Sequence, residues 1–160
     1  YADKNKTLFR TATRVAKKAV DWYLVQDSLN DMHTAACYIQ LLEYCEAANN
    51  HDLFDLHLLK TKLITQVKNC ITRNTADWET SYICKPSQFF SSPDSIFYPG
   101  NEDIADFECN YIKRTQLEDG SWNIPWSWSD YPNEWAISKN WWKSTGIIIN
   151  LLYLRGFGRL

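Results

Sequence analysis

Aromatic side chains are the residues of this sequence whose types and spacing best suit ligand chemistry. Three of the eight tryptophans, Trp122, Trp126 and Trp128, lie close together, and Tyr131 and Trp135 follow them. In an extended segment Trp126 and Trp128 would project to the same side, because a single residue separates them. Ring faces of this kind attract cations, and the same rings can serve as packing. We predict that Trp126, Trp128, Tyr131 and Trp135 line a ligand site, although for the cluster taken alone packing is favoured.

The sequence offers few candidates for acid–base or metal chemistry. It contains no phosphate-binding loop, no GxSxG and no HExxH. His33 is expected to be a capping or core residue, and Asp103, Asp106 and Glu108 are expected to be surface acids near a helix start. Asp106 and Cys109 could chelate a metal ion from adjacent helical turns, but a zinc site needs more ligands and no His follows position 57. We therefore expect no metal ion and no cofactor, and we assign no catalytic residue.

Composition limits the class of protein. A chain of 160 residues with 45% hydrophobic and 15% aromatic side chains can bury the core of a globular domain. The 17 basic and 19 acidic residues give a formal charge of −2, so the chain lacks the broad positive surface that nucleic acids attract. We expect no nucleic-acid partner. No uninterrupted apolar run approaches the roughly 18 residues of a membrane span, so no transmembrane segment is predicted.

The cysteines and the first residue bear on the setting of the chain. Five cysteines are an odd number without a CxxC pair, and Cys37, Cys45 and Cys70 fall in apolar helical stretches. Free thiols in a reducing, cytoplasmic setting are therefore expected. The chain begins at Tyr1 and its one methionine is Met32, so we expect a fragment or a processed product of a longer protein.

Apolar residues at three- and four-residue spacings predict three helices in the first half of the chain. The first covers residues 7–25, and the third ends near Asn74. Ser28 and Asp31 resemble a capping box that opens the second helix. The three apolar stripes are Leu8, Ala12, Val15, Ala16, Ala19 and Tyr23; Met32, Ala35, Ala36, Ile39, Leu42 and Cys45; and Leu53, Leu56, Leu59, Leu63, Val67 and Cys70.

The second half combines a long loop with two more helices. From residue 75 to 100 the periodicity disappears among three prolines and many aromatic residues, so we expect an ordered loop that lies across helix ends as a lid or belt. Asn101 is expected to cap the fourth helix, and Pro132 opens a last helix that runs to Arg155. The expected inward positions are Ile104, Phe107, Tyr111 and Ile112, then Trp135, Trp142, Ile149 and Leu152. The predicted fold class is all-α, with about five main helices.

The turn between the last two helices resembles a known motif. Tyr111 and Ile112, followed by Gln116, Gly120 and Trp122, resemble the QW motif, an aromatic and an aliphatic residue and then Q-x(2–5)-G-x-W. That motif belongs to squalene-hopene and oxidosqualene cyclases and to related prenyltransferase repeats. There the Gln caps a helix end, the Trp stacks on it, and the Gly permits the turn between helices of an α/α toroid. The resemblance implies that Gln116, Gly120 and Trp122 are structural staples of a motif at 111–122.

A wider similarity covers about the last 70 residues and points to uncharacterised toroid proteins. Its segments are SSPDSIFYP at 91–99, DGSW at 119–122, PWSW at 125–128, YPNEW at 131–135 and FGR at 157–159. The resemblance implies a partial α/α toroid, in which residues 1–160 form a single helical domain or the C-terminal part of a larger one. Missing N-terminal repeats or a partner chain would then cover an exposed apolar edge.

Three kinds of function agree with these patterns. The resemblance implies a terpenoid cyclase-like or prenyltransferase-like domain that binds an isoprenoid or another apolar small molecule. The acidic DxDD and DDxxD motifs of those enzymes and a zinc-ligand cluster are absent, so catalysis stays open. The first alternative is a carbohydrate-active α/α toroid, in which the same rings stack on sugars and two carboxylates perform acid–base chemistry. The second is a non-catalytic interaction subunit, in which the tryptophan cluster is core.

Overall fold

The described part of the chain is entirely helical. The computed structural model describes residues 6–27, 29–50 and 52–160. Five α-helices occur in these ranges, α1 (Thr7–Leu24), α2 (Met32–Ala47), α3 (Leu56–Cys70), α4 (Glu102–Thr115) and α5 (Pro132–Gly156), with 3₁₀ helices at Thr75–Glu79 and Pro86–Gln88. The same ranges contain no β-strand. The predicted all-α class with five main helices is therefore confirmed. The chain divides into two compact units, one ending at Cys70 and one beginning at Ile71.

A side-chain cap fixes the start of α2. The Asp31 carboxylate accepts hydrogen bonds from the Thr34 backbone N–H at 2.7 Å and from the Thr34 hydroxyl at 2.5 Å. These bonds hold the pKa of Asp31 below its usual range. The predicted capping box placed Ser28 at this cap, but the cap residue is Asp31, and Ser28 lies outside the described residues. One acidic side chain thus satisfies N–H groups that the helix itself leaves unpaired.

The core of the first unit forms where α3 contacts both α1 and α2. Tyr23 of α1 stacks on Tyr38 of α2 with ring centroids 4.0 Å apart, and the Tyr38 hydroxyl donates to the Ala19 carbonyl at 2.8 Å. The predicted stripes are wrong at Leu8, Ala12 and Val15 of α1 and at Ala36 of α2, because these four residues are exposed. The buried helical residues of this unit are Val20, Tyr23, Ala35, Ile39, Leu42, Cys45, Leu59, Leu63, Gln66 and Val67. The buried face of α1 therefore lies near its C-terminal end.

The segment between α3 and α4 contributes to the core of the second unit, so the prediction of a surface lid is wrong. The Trp78 side chain is fully buried, and its indole N–H donates to the Thr72 carbonyl at 3.0 Å. Its ring meets the edges of Phe107 and Tyr111, with centroids 5.1 and 5.4 Å away. Further buried rings of the segment are Phe89, Phe90 and Phe97. Burying so many rings favours order in a segment that has little regular secondary structure.

Helix α4 begins at the predicted residue with a different cap. Asn101 precedes the helix, but its side chain makes no capping hydrogen bond. Its amide instead donates to the Phe97 carbonyl at 2.8 Å and accepts from the Arg73 guanidinium at 2.5 Å. Asn101 is buried, so these bonds satisfy its polar atoms and attach the preceding segment to the start of α4.

Helix α5 has the predicted start, but its buried face differs from the predicted one. Tyr153 and Leu154 are its buried residues, and they pack with Cys109, Ile112 and Trp122 in one apolar cluster. The predicted inward residues Trp142, Ile149 and Leu152 are exposed, and Trp135 is half-buried. Other exposed apolar side chains on α5 are Ile137, Trp141 and Ile148. Much of this helix surface is therefore apolar and uncovered in the described chain. None of the described helices is long and apolar enough to cross a membrane.

Replacing Gly156 with alanine is expected to lower the free energy of unfolding by about 1–3 kcal/mol. A β-carbon at this position would lie 1.7 Å from the Ser91 carbonyl oxygen, so the backbone near Ser91 would have to shift. Gly146 of the same helix is a matched control, because a β-carbon there meets nothing within 4 Å. We expect Gly146→Ala to raise the free energy of unfolding by up to about 1 kcal/mol, because alanine favours a helix more than glycine does. Urea unfolding of both variants checks this, and equal effects at the two positions would contradict it.

Candidate functional site

A tight turn follows α4 and contains the residues of the sequence motif. Gln116 lies at the C-terminal end of α4, and its side-chain amide donates to the Gly120 carbonyl at 3.0 Å. The Gly120 N–H donates to the Leu117 carbonyl at 2.9 Å, and the Leu117 N–H donates to the Ser121 carbonyl at 2.8 Å. Gly120 has a φ of 79°, a backbone conformation that other residues adopt only with strain. Gln116 and Gly120 therefore stabilise this turn through contacts that each residue type is suited to make.

Trp122 attaches the end of the turn to α4. Its side chain is buried, and the indole N–H donates to the Ile112 carbonyl at 2.8 Å. The ring belongs to the cluster that includes Ile112, Cys109 and Tyr153. This geometry is compatible with the structural role predicted for Gln116, Gly120 and Trp122. The family resemblance that led to the prediction stays a prediction.

A cavity of about 650 Å³ adjoins this turn. Gln116 and Trp122 line it, together with Tyr111 from α4 and Trp142 and Gly146 from α5. The volume falls within the range of roughly 300–1,000 Å³ that is typical of small-molecule sites. Helix ends, a turn and the middle of α5 thus enclose a space of the size that a ligand needs.

Charged side chains line one part of the cavity, and cations outnumber carboxylates. Lys85, Arg114 and Lys143 are the cations, and Glu79 is the one carboxylate among the lining residues. Arg114 lies 3.8 Å from Glu79, and Lys143 lies 3.9 Å from Asp119. The cavity wall therefore combines aromatic rings with a net positive charge.

Three of the four aromatic residues predicted to bind a ligand, Trp126, Trp128 and Trp135, form a cluster beside this cavity. The ring centroid of Trp126 lies 4.8 Å from that of Trp135 and 5.2 Å from that of Trp142, and Trp128 lies 5.4 Å from Trp135. Trp128 and Tyr131 are 38% and 61% exposed, so the cluster is not simply core. None of the four lines the cavity itself, whereas Trp142 belongs both to the cavity wall and to the cluster. Ligand contact by these four residues stays a prediction.

Lys85 is a partly buried residue of the cavity wall. Its ammonium nitrogen is 4.6 Å from the Tyr111 ring centroid and 5.5 Å from that of Trp78. Burial lowers the pKa of Lys85, because the charged form loses water, and the nearby Glu108 opposes this effect only in part. The sequence pattern gave no reason to single out this lysine, since the segment around it lacks periodicity.

Glu108 is buried, which corrects its prediction as a surface acid. Its two carboxylate oxygens accept hydrogen bonds from the Ser87 N–H at 2.8 Å and from the Ser87 hydroxyl at 2.6 Å. Burial raises the pKa of Glu108 to about 7, although the Ser87 hydrogen bonds and Lys85 act in the opposite direction. Asp103 and Asp106 are exposed, and Asp106 forms an ion pair with Arg159. Glu108 and Lys85 together form a titratable pair inside the second unit.

The structure brings no metal-ligand cluster together in the part that it describes. Cys109 is buried and Asp106 is exposed. No group of three His, Cys, Asp or Glu side chains that could hold a metal ion occurs among the described residues. The cavity wall offers aromatic rings, the Lys85 amine, which has lost part of its water, and the charged side chains of Glu79, Arg114 and Lys143.

Comparison with known proteins returned no similar protein. The chain matches no model of a protein family, no curated protein and no solved structure. The terpenoid cyclase resemblance and the partial toroid therefore rest on the sequence motif.

Proposed function

We propose that residues 1–160 form a terpenoid cyclase-like or prenyltransferase-like helical domain, or the C-terminal part of a larger one, that binds an isoprenoid or another apolar small molecule. The observation that carries this proposal is the cavity of about 650 Å³, with Tyr111, Trp122 and Trp142 in its wall, directly beside the turn at Gln116 and Gly120. The partial α/α toroid belongs to the same proposal. No catalytic step is included in it.

The cavity wall combines apolar and polar side chains in equal number, eight of each among its sixteen residues. Ile112, Leu117 and Ile124 supply aliphatic surface next to the aromatic rings. Apolar area supplies affinity in small-molecule sites, and polar groups fix orientation. Such a wall would suit a ligand that has an apolar part and polar groups.

Farnesol is a suitable probe of this proposal, and Trp142→Ala is expected to weaken its binding by about tenfold to a hundredfold. The reason is that a ring buried against a ligand contributes about 1.5–3 kcal/mol. Quenching of tryptophan fluorescence on titration measures the dissociation constant. Trp141→Ala is the matched control, because Trp141 is 71% exposed on the same helix and does not line the cavity. Saturable binding that Trp142→Ala leaves unchanged would contradict the proposal, and so would the absence of any binding.

The carbohydrate-active alternative is supported less well by this cavity. Two carboxylates that face each other across a cleft are needed for glycoside hydrolysis, at roughly 5–9.5 Å. Glu79 is the one carboxylate residue in the wall, and Glu108 is fully buried behind it. Titration with maltohexaose, comparing the parent with a Trp126→Ala, Trp128→Ala variant, separates the two ligand classes. A sugar response that is lost in this variant would favour carbohydrate binding on the exposed aromatic cluster.

A non-catalytic interaction subunit is a second candidate, which the surface of α5 favours. Ile137, Trp141, Ile148 and Leu152 are all more than half exposed on this helix. Contiguous exposed apolar surface of this kind is typical of sites that bind another protein. A partner chain or further N-terminal repeats would then cover α5, as the resemblance implies.

The cytoplasmic setting is also part of the proposal. Cys37, Cys45, Cys70 and Cys109 are free thiols, and Cys45 and Cys109 are buried. Free thiols agree with a reducing compartment.

A further inference from the structure

We propose that Lys85 is a nucleophilic amine, whose side-chain nitrogen condenses with the carbonyl group of an apolar aldehyde or ketone held in the cavity. This inference rests on the proposed function, because the same cavity must hold the apolar part of the ligand. It adds the chemical class of the ligand and a covalent bond to a named atom.

The position of Lys85 is the first support. Its side chain is partly buried, lines the cavity and extends over the rings of Tyr111 and Trp78. The two ring contacts give the side-chain nitrogen a defined position, and they favour its charged form, which the loss of water on burial opposes. An amine that is held in place reaches a bound carbonyl carbon more readily than a freely moving surface lysine does.

The contrast with the other cations of the wall is the second support. Arg114 is not a nucleophile, and it pairs with Glu79 at a largely exposed position. Lys143 forms an ion pair with the Asp119 carboxylate at 3.9 Å. Lys85 is the lysine of this wall whose pKa is lowered by burial, so a larger fraction of its amine is neutral at a given pH. Desolvated lysines of this kind are the usual nucleophiles towards carbonyl groups.

The reaction balances without any further reactant. The neutral amine attacks the carbonyl carbon, a carbon–nitrogen bond forms, and a proton moves from nitrogen to the former carbonyl oxygen. The resulting hydroxyl leaves as water after it is protonated, and an imine remains. The protonated imine carries a positive charge, and Glu108 lies near enough to Lys85 to favour a cation there electrostatically. Nothing is oxidised or reduced in this step.

Farnesal and sodium cyanoborohydride test the proposal, since the hydride reagent converts an imine into a stable secondary amine. The intact chain is incubated with increasing farnesal at neutral pH, and the modified lysines are located by peptide mass spectrometry. We expect saturable modification of Lys85 that exceeds modification of Lys143 and of surface lysines such as Lys113 at least tenfold. Excess farnesol, which has no carbonyl group, is expected to protect Lys85.

Two matched variants keep the result interpretable. Lys85→Arg retains a cation over the rings and is expected to remove the saturable modification, whereas Lys143→Arg is expected to leave it unchanged. Circular dichroism checks that both variants fold.

The possible outcomes distinguish the amine proposal from apolar binding. If farnesol quenches tryptophan fluorescence but Lys85 is not preferentially modified, the amine proposal is overturned and apolar binding stands. If Lys85 is saturably modified but farnesol neither quenches nor protects, the modification does not depend on apolar binding in the cavity, and both proposals are overturned. Modification spread over the lysines according to exposure would overturn the amine proposal.

Discussion

Trp122→Ala is expected to lower the free energy of unfolding by about 3–5 kcal/mol, the range found for large buried aromatic residues. The Trp122 ring is buried in the cluster that contains Ile112 and Tyr153, so its removal leaves a hole between α4 and α5. The substitution also leaves the Ile112 carbonyl without the indole donor at 2.8 Å. An unpaired buried acceptor adds about 1–3 kcal/mol to the loss when no water replaces the donor. Urea unfolding followed by circular dichroism gives the free energies.

Two further variants separate the causes of this loss. Trp122→Phe keeps most of the ring and removes the N–H, so we expect about 1–3 kcal/mol of destabilisation from the unpaired carbonyl and the smaller ring. Trp141→Ala removes an indole that is 71% exposed, and we expect a change within about 0.5 kcal/mol. If Trp122→Ala were as mild as Trp141→Ala, Trp122 would not hold the turn to α4.

The helices could be predicted from the sequence because their signals are local. Apolar residues recur along α2 and α3 with helical spacing, and the observed buried residues Ile39, Leu42, Leu59 and Leu63 all belong to the predicted stripes. Pro132 gave the start of α5, because proline has no N–H and suits the first position of a helix. Start signals and periodicity depend on neighbouring residues, so they need no knowledge of tertiary structure.

The buried faces of α1 and α5 could not be predicted in the same way. Apolar residues occur on several sides of α5, and periodicity alone does not tell which side meets the core. The structure buries Tyr153 and Leu154, whereas the more hydrophobic pattern through Trp142 and Ile149 is exposed. That choice depends on where α4 and the preceding segment lie, which is a property of tertiary packing.

The candidate site was predicted only in part for a similar reason. The turn at Gln116 and Gly120 lies within one short segment, and the sequence motif located it. The cavity wall comes from separate segments of the chain, because Lys85 and Trp142 lie far from the motif at 111–122 that contributes Tyr111 and Trp122. Glu108 had a usable signal, since it lies four residues after Ile104 and four before Ile112 on the apolar side of α4. An acid at such a position is expected to be buried.

Between pH 4.5 and about 7, the parent protein is expected to lose about 3 kcal/mol of stability relative to Glu108→Gln as the pH rises. Burial raises the pKa of Glu108 from 4.5 to about 7 in the folded chain. Between these two values the folded chain therefore binds a proton that the unfolded chain has released. Protonation stabilises the folded state fully below the unfolded pKa, and this contribution is lost as the pH passes through the folded pKa.

A pH series of urea unfolding curves measures this effect. Groups that titrate alike in both proteins contribute equally to the two unfolding free energies. Their contributions therefore cancel in the difference between the parent and Glu108→Gln. We expect this difference to change across the interval and to become constant above about pH 8, where Glu108 is ionised. Asp103→Asn is the control for replacing an acid on the same helix, because Asp103 is exposed.

The direction of the change is the decisive result. Two effects on the pKa of Glu108 oppose each other. Burial favours the neutral acid, whereas the hydrogen bonds from the Ser87 N–H and hydroxyl favour the carboxylate. If the hydrogen bonds dominated, the parent would gain stability relative to Glu108→Gln as the pH rises, as it does for a carboxylate whose pKa is lowered by folding. A loss of stability with rising pH means that burial dominates. In that case the folded chain favours the neutral acid, and ionising Glu108 above its raised pKa costs stability that Glu108→Gln does not lose.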